Sequence, residues 1–453
     1  MPSKAQPDHS TSQHLRILTA GIESGAVQHM QGMVNSLHPA EVADMLEALK
    51  PLYRELVWEL IEPESRGEVL VELNDEVRTS LIETTGTEDL IHAANTLETD
   101  DLADILQDLP SVVMREVLLS LSNQDRNRLE TILSYHEDSA GGLMNTDTVT
   151  VRPDVTLDVV LRYLRKRGEI PRQTDNLIVV DRNDHYLGLL PLSALLTNEE
   201  SLTVAELMLS DDAAIPATMD EKDVALLFEQ RDLISAPVID EQNVLLGRIT
   251  IDDVVDVIRE GVDHSIMSMA GLDEEQDMFA PASRSARRRA VWLGINLCTA
   301  LLASWVIGFY EETLEKVVAL AILMPIVASM GGIAGSQTLT LVIRGIALRQ
   351  IGRTNASLLL GKELTIGILN GLLWAVVVAG VTGTWFQSAE IGVLIGSAML
   401  INMVCAALAG VTIPLALERL GIDPALAGGV LLTTITDVVG FVAFLGLATL
   451  YLV

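Results

Sequence analysis

The chain has 453 residues, with 30 Lys+Arg against 62 Asp+Glu for a formal charge of −32. That balance excludes a nucleic-acid platform, because no basic stripe is present to neutralise phosphates. The length allows more than one folded unit. Charge divides sharply near residue 284: residues 1–283 carry −34, and residues 284–453 carry +2 from 10 basic and 8 acidic side chains. The opening MPSKAQPDHSTSQ lacks the apolar core of a signal peptide, which predicts a cytoplasmic N-terminus.

Residues 14–138 show helical periodicity. HPAEVADMLEALKP at 38–51 returns as ETDDLADILQDLPS at 98–111, with Ala43/Ala103, Asp44/Asp104, Leu46/Leu106 and Leu49/Leu109 in register. A repeat of that length predicts stacked helical pairs sharing one core. A second repeat follows. Leu143-Met144-x-x-Asp147 returns as Leu207-Met208-x-x-Asp211, and LIVVDRNDHYLGLL at 177–190 as APVIDEQNVLLGRI at 236–249. Each copy reads as a short strand, a helix, a strand pair joined by a polar turn, and another helix.

This layout resembles a tandem pair of CBS domains, at 139–203 and 204–262. The resemblance implies an adenine-nucleotide site, with ATP as a candidate ligand, on the pattern G-x-[IV]-[TS]-x-x-D. The second copy supplies Gly247, Thr250 and Asp253, whereas the first has Pro191 and Ala194 at the last two positions. One nucleotide site at most, on Thr250 and Asp253, is therefore expected; a purely structural module is the alternative.

An acidic connecting helix is expected over 251–280. Asp252, Asp253, Asp256, Glu260 and Asp263 recur at spacings of three and four, so several share one side and repel. A solvated face is the ordinary reading. In a region at −34, divalent cations bridging carboxylates are the alternative.

Residues 284–453 hold five apolar runs long enough to span a bilayer: 288–310, 317–343, 359–386, 391–417 and 425–451. Basic residues gather at Arg284, Arg287, Arg288, Arg289, Arg344, Arg349, Arg353, Lys362 and Arg419. The first and third connections contain only Lys316. This bias places the N-terminal region in the cytoplasm and the C-terminus outside. Cys298 and Cys405 fall within apolar runs and read as small core residues. In the second run, Pro325 is expected to kink or break the helix and free carbonyls. Gly331 and Gly335 have the spacing of close helix packing. The last run contains one charged residue, Asp437, in TITDVVGF. A carboxylate at membrane depth costs at least about 2.5–3.5 kcal/mol and marks a bundle interior or watered cavity. Protonation, or hydrogen bonds from Thr433, Thr434 or Thr436, are the structural readings of it.

The order Met324-Pro325 to Gln337, Arg344-Gly345, Lys362-Glu363, Gly421-Ile422-Asp423-Pro424-Ala425 and Thr436-Asp437-Val438-x-Gly440 resembles the MgtE family of magnesium transporters and channels. The fold class expected is multidomain: an all-α superhelical N domain, an α/β tandem CBS pair, a long acidic connecting helix, and a polytopic α-helical membrane domain with five spans. The resemblance implies a homodimer in the cell membrane whose pore, lined mainly by the second and fifth spans, passes hydrated Mg2+ at Asp437. Gly331, Gly332, Gly335 and Gln337 are expected to line it. It implies that the connecting helix plugs the pore when cytoplasmic Mg2+ is high, with Asp423 bridged to that helix. The regulatory carboxylates expected are Asp101, Asp104, Asp220, Glu221, Asp252, Asp253, Asp256, Glu260, Asp263 and Asp423. Ile333 and Ser336 stand where that family commonly has amides, and Gly261, His264 and Ser265 where acids are expected. A Co2+ or Mn2+ channel and a non-conducting Mg2+ receptor are the alternatives. An enzyme is not expected, because no nucleophile triad, P-loop or His/Cys metal spacing occurs.

Overall fold

The computed structural model describes residues 27–210, 214–272, 276–352 and 355–452; Asp211 and Arg353 lie outside the described residues. Its contacts divide the chain into two units. One runs to Val262 and regains the stretch ending at Ala280, and the other holds the stretch from Asp263 and everything from Pro281.

The first unit opens with short helices: α1 (Val27–Val34), α2 (Pro39–Glu47), α3 (Pro51–Trp58), α4 (Arg66–Val71), α5 (Asp75–Thr84), α6 (Thr87–Ala94), α7 (Thr99–Asp108), α8 (Ser111–Ser120) and α9 (Asn123–Ile132). The repeated phrases form α2 and α7. They bury Val42, Ala43, Met45 and Leu46 in one, and Leu102, Ala103, Ile105 and Leu106 at the same offsets in the other. Helices of eight to ten residues cannot bury such a stripe alone, so neighbours stack and share one core. That core continues through Met144 of the first CBS copy into Ile215, Val224, Phe228 and Val238 of the second.

A buried ion pair fastens this unit to the stretch just before the first span. The Arg54 guanidinium binds both oxygens of Asp277 at 2.6 Å, and it donates to the Leu46 carbonyl at 2.8 Å and the Glu47 carbonyl at 3.1 Å. Asp277 Oδ1 also accepts from Phe279 N at 2.8 Å, and Asp277 N donates to Glu76 Oε2 at 2.9 Å. Both side chains are nearly inaccessible, at 3% and 6%, so the pair lasts only because these bonds replace hydration.

The tandem pair follows the expected order: β1 (Thr150–Val151), α10 (Leu157–Arg167), β2 (Asn176–Val180), β3 (Tyr186–Pro191), α11 (Leu192–Thr197), α12 (Val204–Leu207), β4 (Ile215–Pro216), α13 (Glu221–Arg231), β5 (Ser235–Ile239), β6 (Leu245–Thr250) and α14 (Ile251–Met269). In each copy the first strand pairs parallel to the second, and the second antiparallel to the third. The polar turns are built alike. Asp181 Oδ1 accepts from Asn183 N and His185 N, and Asp240 Oδ1 from Gln242 N and Val244 N. Gly188 and Gly247 let the other copy's lead-in backbone approach. A Cβ at Gly188 would stand 2.4 Å from the Leu209 carbonyl oxygen, and one at Gly247 2.6 Å from that of Asn145. The repeated glycines therefore serve the pairing of the two copies.

The connecting helix α14 ends at Met269, earlier than the expected 280. Gly271, at φ +67°, stops it: Leu272 N donates to Met267 O and Gly271 N to Ser268 O, both at 2.9 Å, the double bond of a left-handed helix terminator.

The second unit contains α15 (Ala282–Gly308), α16 (Glu311–Lys316), α17 (Ala319–Ala347), α18 (Ala356–Trp385), α19 (Ala389–Arg419) and α20 (Pro424–Leu452). Five of these, 27 to 31 residues long, are long and apolar enough to cross a membrane. α19 packs on α17, α18 and α20. It buries 56% of its apolar core, against 11% for α15 and α18, so α19 is the inner helix of the unit and the other two are mostly exposed within the single chain. Pro325 does not break α17, which continues unbroken through residues 331–337. The carbonyls of that stretch therefore stay largely within the helical ladder, with Gly331 packed against Asn402 of α19 and Gly335 against Leu432 of α20.

Candidate ion pathway and cation-sensing carboxylates

Within the membrane unit, Asp437 lies at the middle of α20 and is half-buried. Its threonine neighbours do not serve it. Thr433 Oγ1 donates to the Gly429 carbonyl at 3.0 Å, Thr434 Oγ1 to that of Val430 at 2.7 Å, and Thr436 Oγ1 to that of Thr433 at 3.1 Å. Among the described residues the Asp437 carboxyl has no hydrogen-bond partner. A charge so placed needs a cation or a proton to offset its desolvation.

The expected lining of α17 divides between two faces. Gly331 and Gly335 are buried contacts: a Cβ on Gly331 would stand 2.2 Å from Asn402 Nδ2, and one on Gly335 2.8 Å from Leu432 Cδ1. Gly332 has open space around it, and Ile333, Ser336 and Gln337 are exposed on the same protomer. Ser336 Oγ donates to the Ile333 carbonyl at 3.0 Å. Lower on the bundle, Glu363 of α18 is buried and accepts from Thr338 Oγ1 at 3.2 Å, with Lys362 Nζ 3.9 Å away.

Asp423 closes a helix stop and start. Gly421, at φ +69°, ends α19, with Ile422 N donating to Leu417 O at 3.0 Å. Asp423 Oδ1 then accepts from Ala425 N at 2.8 Å at the N-terminus of α20, with Pro424 in the first helical position. Its other oxygen lies 3.1 Å from His264 Nε2 of α14. This contact joins Asp423 to α14 through an imidazole, at a position where the resemblance implies an acid.

In the first unit, the start of α7 faces the start of α14. Burial, then Asp100, Glu98, Asp104 and Asp252, push the Asp101 carboxyl up to about 8. Burial, then Asp100 and Asp252, raise Asp253 to about 8. Asp104 rises to about 7, from burial of its surroundings and then from Asp100, although its side chain is itself exposed. Asp100 rises to about 6, chiefly through burial. Asn145 Nδ2 donates to Glu98 Oε2 at 2.6 Å and to Asp100 Oδ1 at 3.2 Å, which gives the crowd one neutral partner. Asp220 caps α13 through Lys222 N at 3.1 Å; Glu221 is raised by burial and then by Asp138. Asp256 is raised by burial and by Asp252, against the Arg259 guanidinium 3.2 Å away. Glu260 and Asp263 follow on α14, exposed.

Among the described residues, no three of His, Cys, Asp and Glu converge into a metal-ligand cluster. The acids are close enough to raise one another's pKa without converging on a single point. Thr250 and Asp253, the expected nucleotide pair, are bound to each other: Thr250 N and Oγ1 both donate to Asp253 Oδ2, at 3.1 and 3.0 Å. The pair starts α14 as a helix cap while Asp253 faces the acidic crowd.

Sequence reasoning missed Asn402, the partner of Gly331. The available signal was an amide in mid-span with no other amide or charged residue between Ile391 and Leu417.

Comparison with known proteins sets this geometry in context. Residues 324–447 match the family model described as a divalent cation transporter, residues 37–138 that of the MgtE intracellular N domain, and residues 140–200 and 204–260 that of the CBS domain. The magnesium transporter MgtE of Thermus thermophilus is 30% identical over 96% of this chain and 98% of its own. That of Bacillus subtilis is 27% identical over 97% of each. A crystal structure described as the cytosolic domain of the Mg2+ channel MgtE in complex with ATP covers 53% of this chain and 98% of its own, at 30% identity and a TM-score of 0.49. With a helical N domain, a tandem CBS pair and five membrane-crossing helices in one chain, and this degree of likeness along almost its whole length, the protein belongs to the MgtE family of magnesium transporters.

Proposed function

We propose that the chain forms a homodimeric channel that imports Mg2+ past Asp437, and that its cytoplasmic carboxylates sense the ion and close the pore. The carrying observation is the Asp437 carboxyl: half-buried in an apolar helix, unpartnered among the described residues, with its threonine neighbours turned back to their own helix. Two copies across a two-fold axis repel unless a cation stands between them. Magnesium sheds water reluctantly, so the carboxylates hold it through its waters, beside the exposed face of α17 that carries Gln337. Outer-sphere contact is weak enough to release the ion, as conduction requires.

Sensing follows from the crowd at α7 and α14. With little Mg2+ in the cytoplasm, Asp100, Asp101, Asp104, Asp252 and Asp253 repel one another and the compact arrangement loosens. Mg2+ binding to the compact form stabilises it by mass action, and α14 then closes the pore. The basic residues flanking the spans support a cytoplasmic side for this region.

Purified protein in liposomes tests both parts. Mg2+ flux is expected to fall to the level of empty liposomes in Asp437→Ala and, in the unaltered protein, to fall as internal Mg2+ rises. Full flux through Asp437→Ala sinks the pore reading, and flux indifferent to internal Mg2+ sinks the sensor. Competition by Co2+ and Mn2+ ranks the ions. Equal cleavage across 130–290 with and without millimolar Mg2+ in limited proteolysis counts against a Mg2+-driven compaction.

A further inference from the structure

We propose that Asn402 is a positioning residue of the transport site, fixing the separation and register of the two helices that carry Asp437 and the 331–337 stretch. This deepens the pore reading and rests on it. Asn402 is 0% exposed at the middle of α19. Its Nδ2 donates to the Val327 carbonyl of α17 at 2.9 Å, and its Oδ1 has no hydrogen-bond partner among the described residues. A buried amide with an unused acceptor costs free energy that an apolar side chain of the same volume does not, so filling space is no reason to have one here.

The amide sits in a notch cut from both sides. A Cβ on Gly331 would lie 2.2 Å from Nδ2, and one on Gly440 of α20 would lie 2.7 Å from it. Each of the two helices thus gives up a side chain opposite the same group. Gly331 begins the stretch whose open face carries Gln337, and Gly440 lies three residues, just under one turn, beyond Asp437. The Asn402 side chain is short, bonded on one side and blocked on two, so it cannot swing aside. Moving α17 along its axis breaks the bond to Val327, and moving either helix inward drives its backbone into the amide. The distance from Asp437 to the open face of α17 is thereby set at this level, and an ion held through its waters is selected by that distance.

The full chain, reconstituted in liposomes, is assayed for Mg2+ flux and for the ratio of Mg2+ to Ca2+ flux. Asn402→Leu keeps the volume and loses the amide; it is expected to change the ratio at least fivefold while the protein still elutes and unfolds as the parent does. Gly440→Ala presses on the amide from the α20 side and is expected to change the ratio in the same direction. Gly429→Ala, on the same helix with open space around it, is expected to leave flux and ratio within twofold. An amide that only supports folding alters the amount of active protein and scales both ions alike, so an unchanged ratio in folded Asn402→Leu overturns the proposal. Should Asn402→Leu fail to assemble, Asn402→Ser and Gly440→Ala decide by the same ratio. Asp437→Ala separates the two claims: full flux there removes the pore reading, whereas lost flux there beside an unchanged ratio in Asn402→Leu removes the role of Asn402 alone.

Discussion

Asp437 stands by itself on α20, its hydroxyl neighbours committed elsewhere, whereas Asp100, Asp101, Asp104 and Asp253 press on one another where α7 meets α14. Both arrangements hold carboxylates at a cost, through isolation from water in one region and through likeness of charge in the other. On the function proposed above both take up the same cation: the lone charge rests the dependence on one residue, and the crowd spreads it over several. Asp277 is the contrast within the first unit, since a guanidinium already neutralises it.

The largest effect expected is on flux. Asp437→Asn, equal in shape and without charge, is expected to reduce Mg2+ flux in liposomes to that of empty ones. Asp101→Asn is expected to keep flux and move only the internal Mg2+ concentration that suppresses it. Similar behaviour of the two variants would break the contrast. Next in size is Arg54→Ala, which leaves Asp277 buried with no partner and is expected to cost about 3–5 kcal/mol in denaturant unfolding. The joint change Arg54→Met with Asp277→Leu is expected to recover most of that, because an apolar pair carries no desolvation cost.

A pH series sharpens the comparison further. The folded-state carboxyls of the crowd are raised from 3.8 to about 6 for Asp100 and about 8 for Asp101 and Asp253. The folded form then binds more protons than the unfolded one, and the stability these groups contribute, present at low pH, is lost as pH rises toward 8. In chelator, the unfolding temperature of the cytoplasmic region is expected to fall from pH 5 to pH 8, and Mg2+ is expected to flatten that slope by replacing the protons. A slope of opposite sign would show that the crowd is not a crowd in solution. The smallest effect is that of Asp101→Asn on the metal-free protein. Relief of repulsion is expected to raise stability by about 1 kcal/mol, or about 2–4 °C for a region of this size.

The spans, both internal repeats and the lone Asp437 were legible because each is a local pattern: a run of apolar residues, a phrase that returns, a charge where none should be. Gly188 and Gly247 were visible as repeats, but their use, passing the other copy's backbone, needed the fold. What stayed hidden joins distant parts of the chain. Arg54 meets Asp277, Asn402 meets Val327 and His264 meets Asp423, and no periodicity pairs such residues. Gly331 and Gly335 illustrate an ambiguity of type. A small residue beside a pore and a small residue inside a helix contact look the same in sequence, and only the neighbouring side chain, here Asn402 or Leu432, tells them apart.

The Arg54–Asp277 pair also has a consequence for biosynthesis. Its partners are 223 residues apart, so at about 5–20 residues per second the guanidinium waits on the order of 10–45 s after its own helix has been made. Asp277 is made only five residues before α15 begins at Ala282. The first unit therefore cannot be latched until the first span is itself being synthesised, and this latching step coincides with the start of delivery to the membrane.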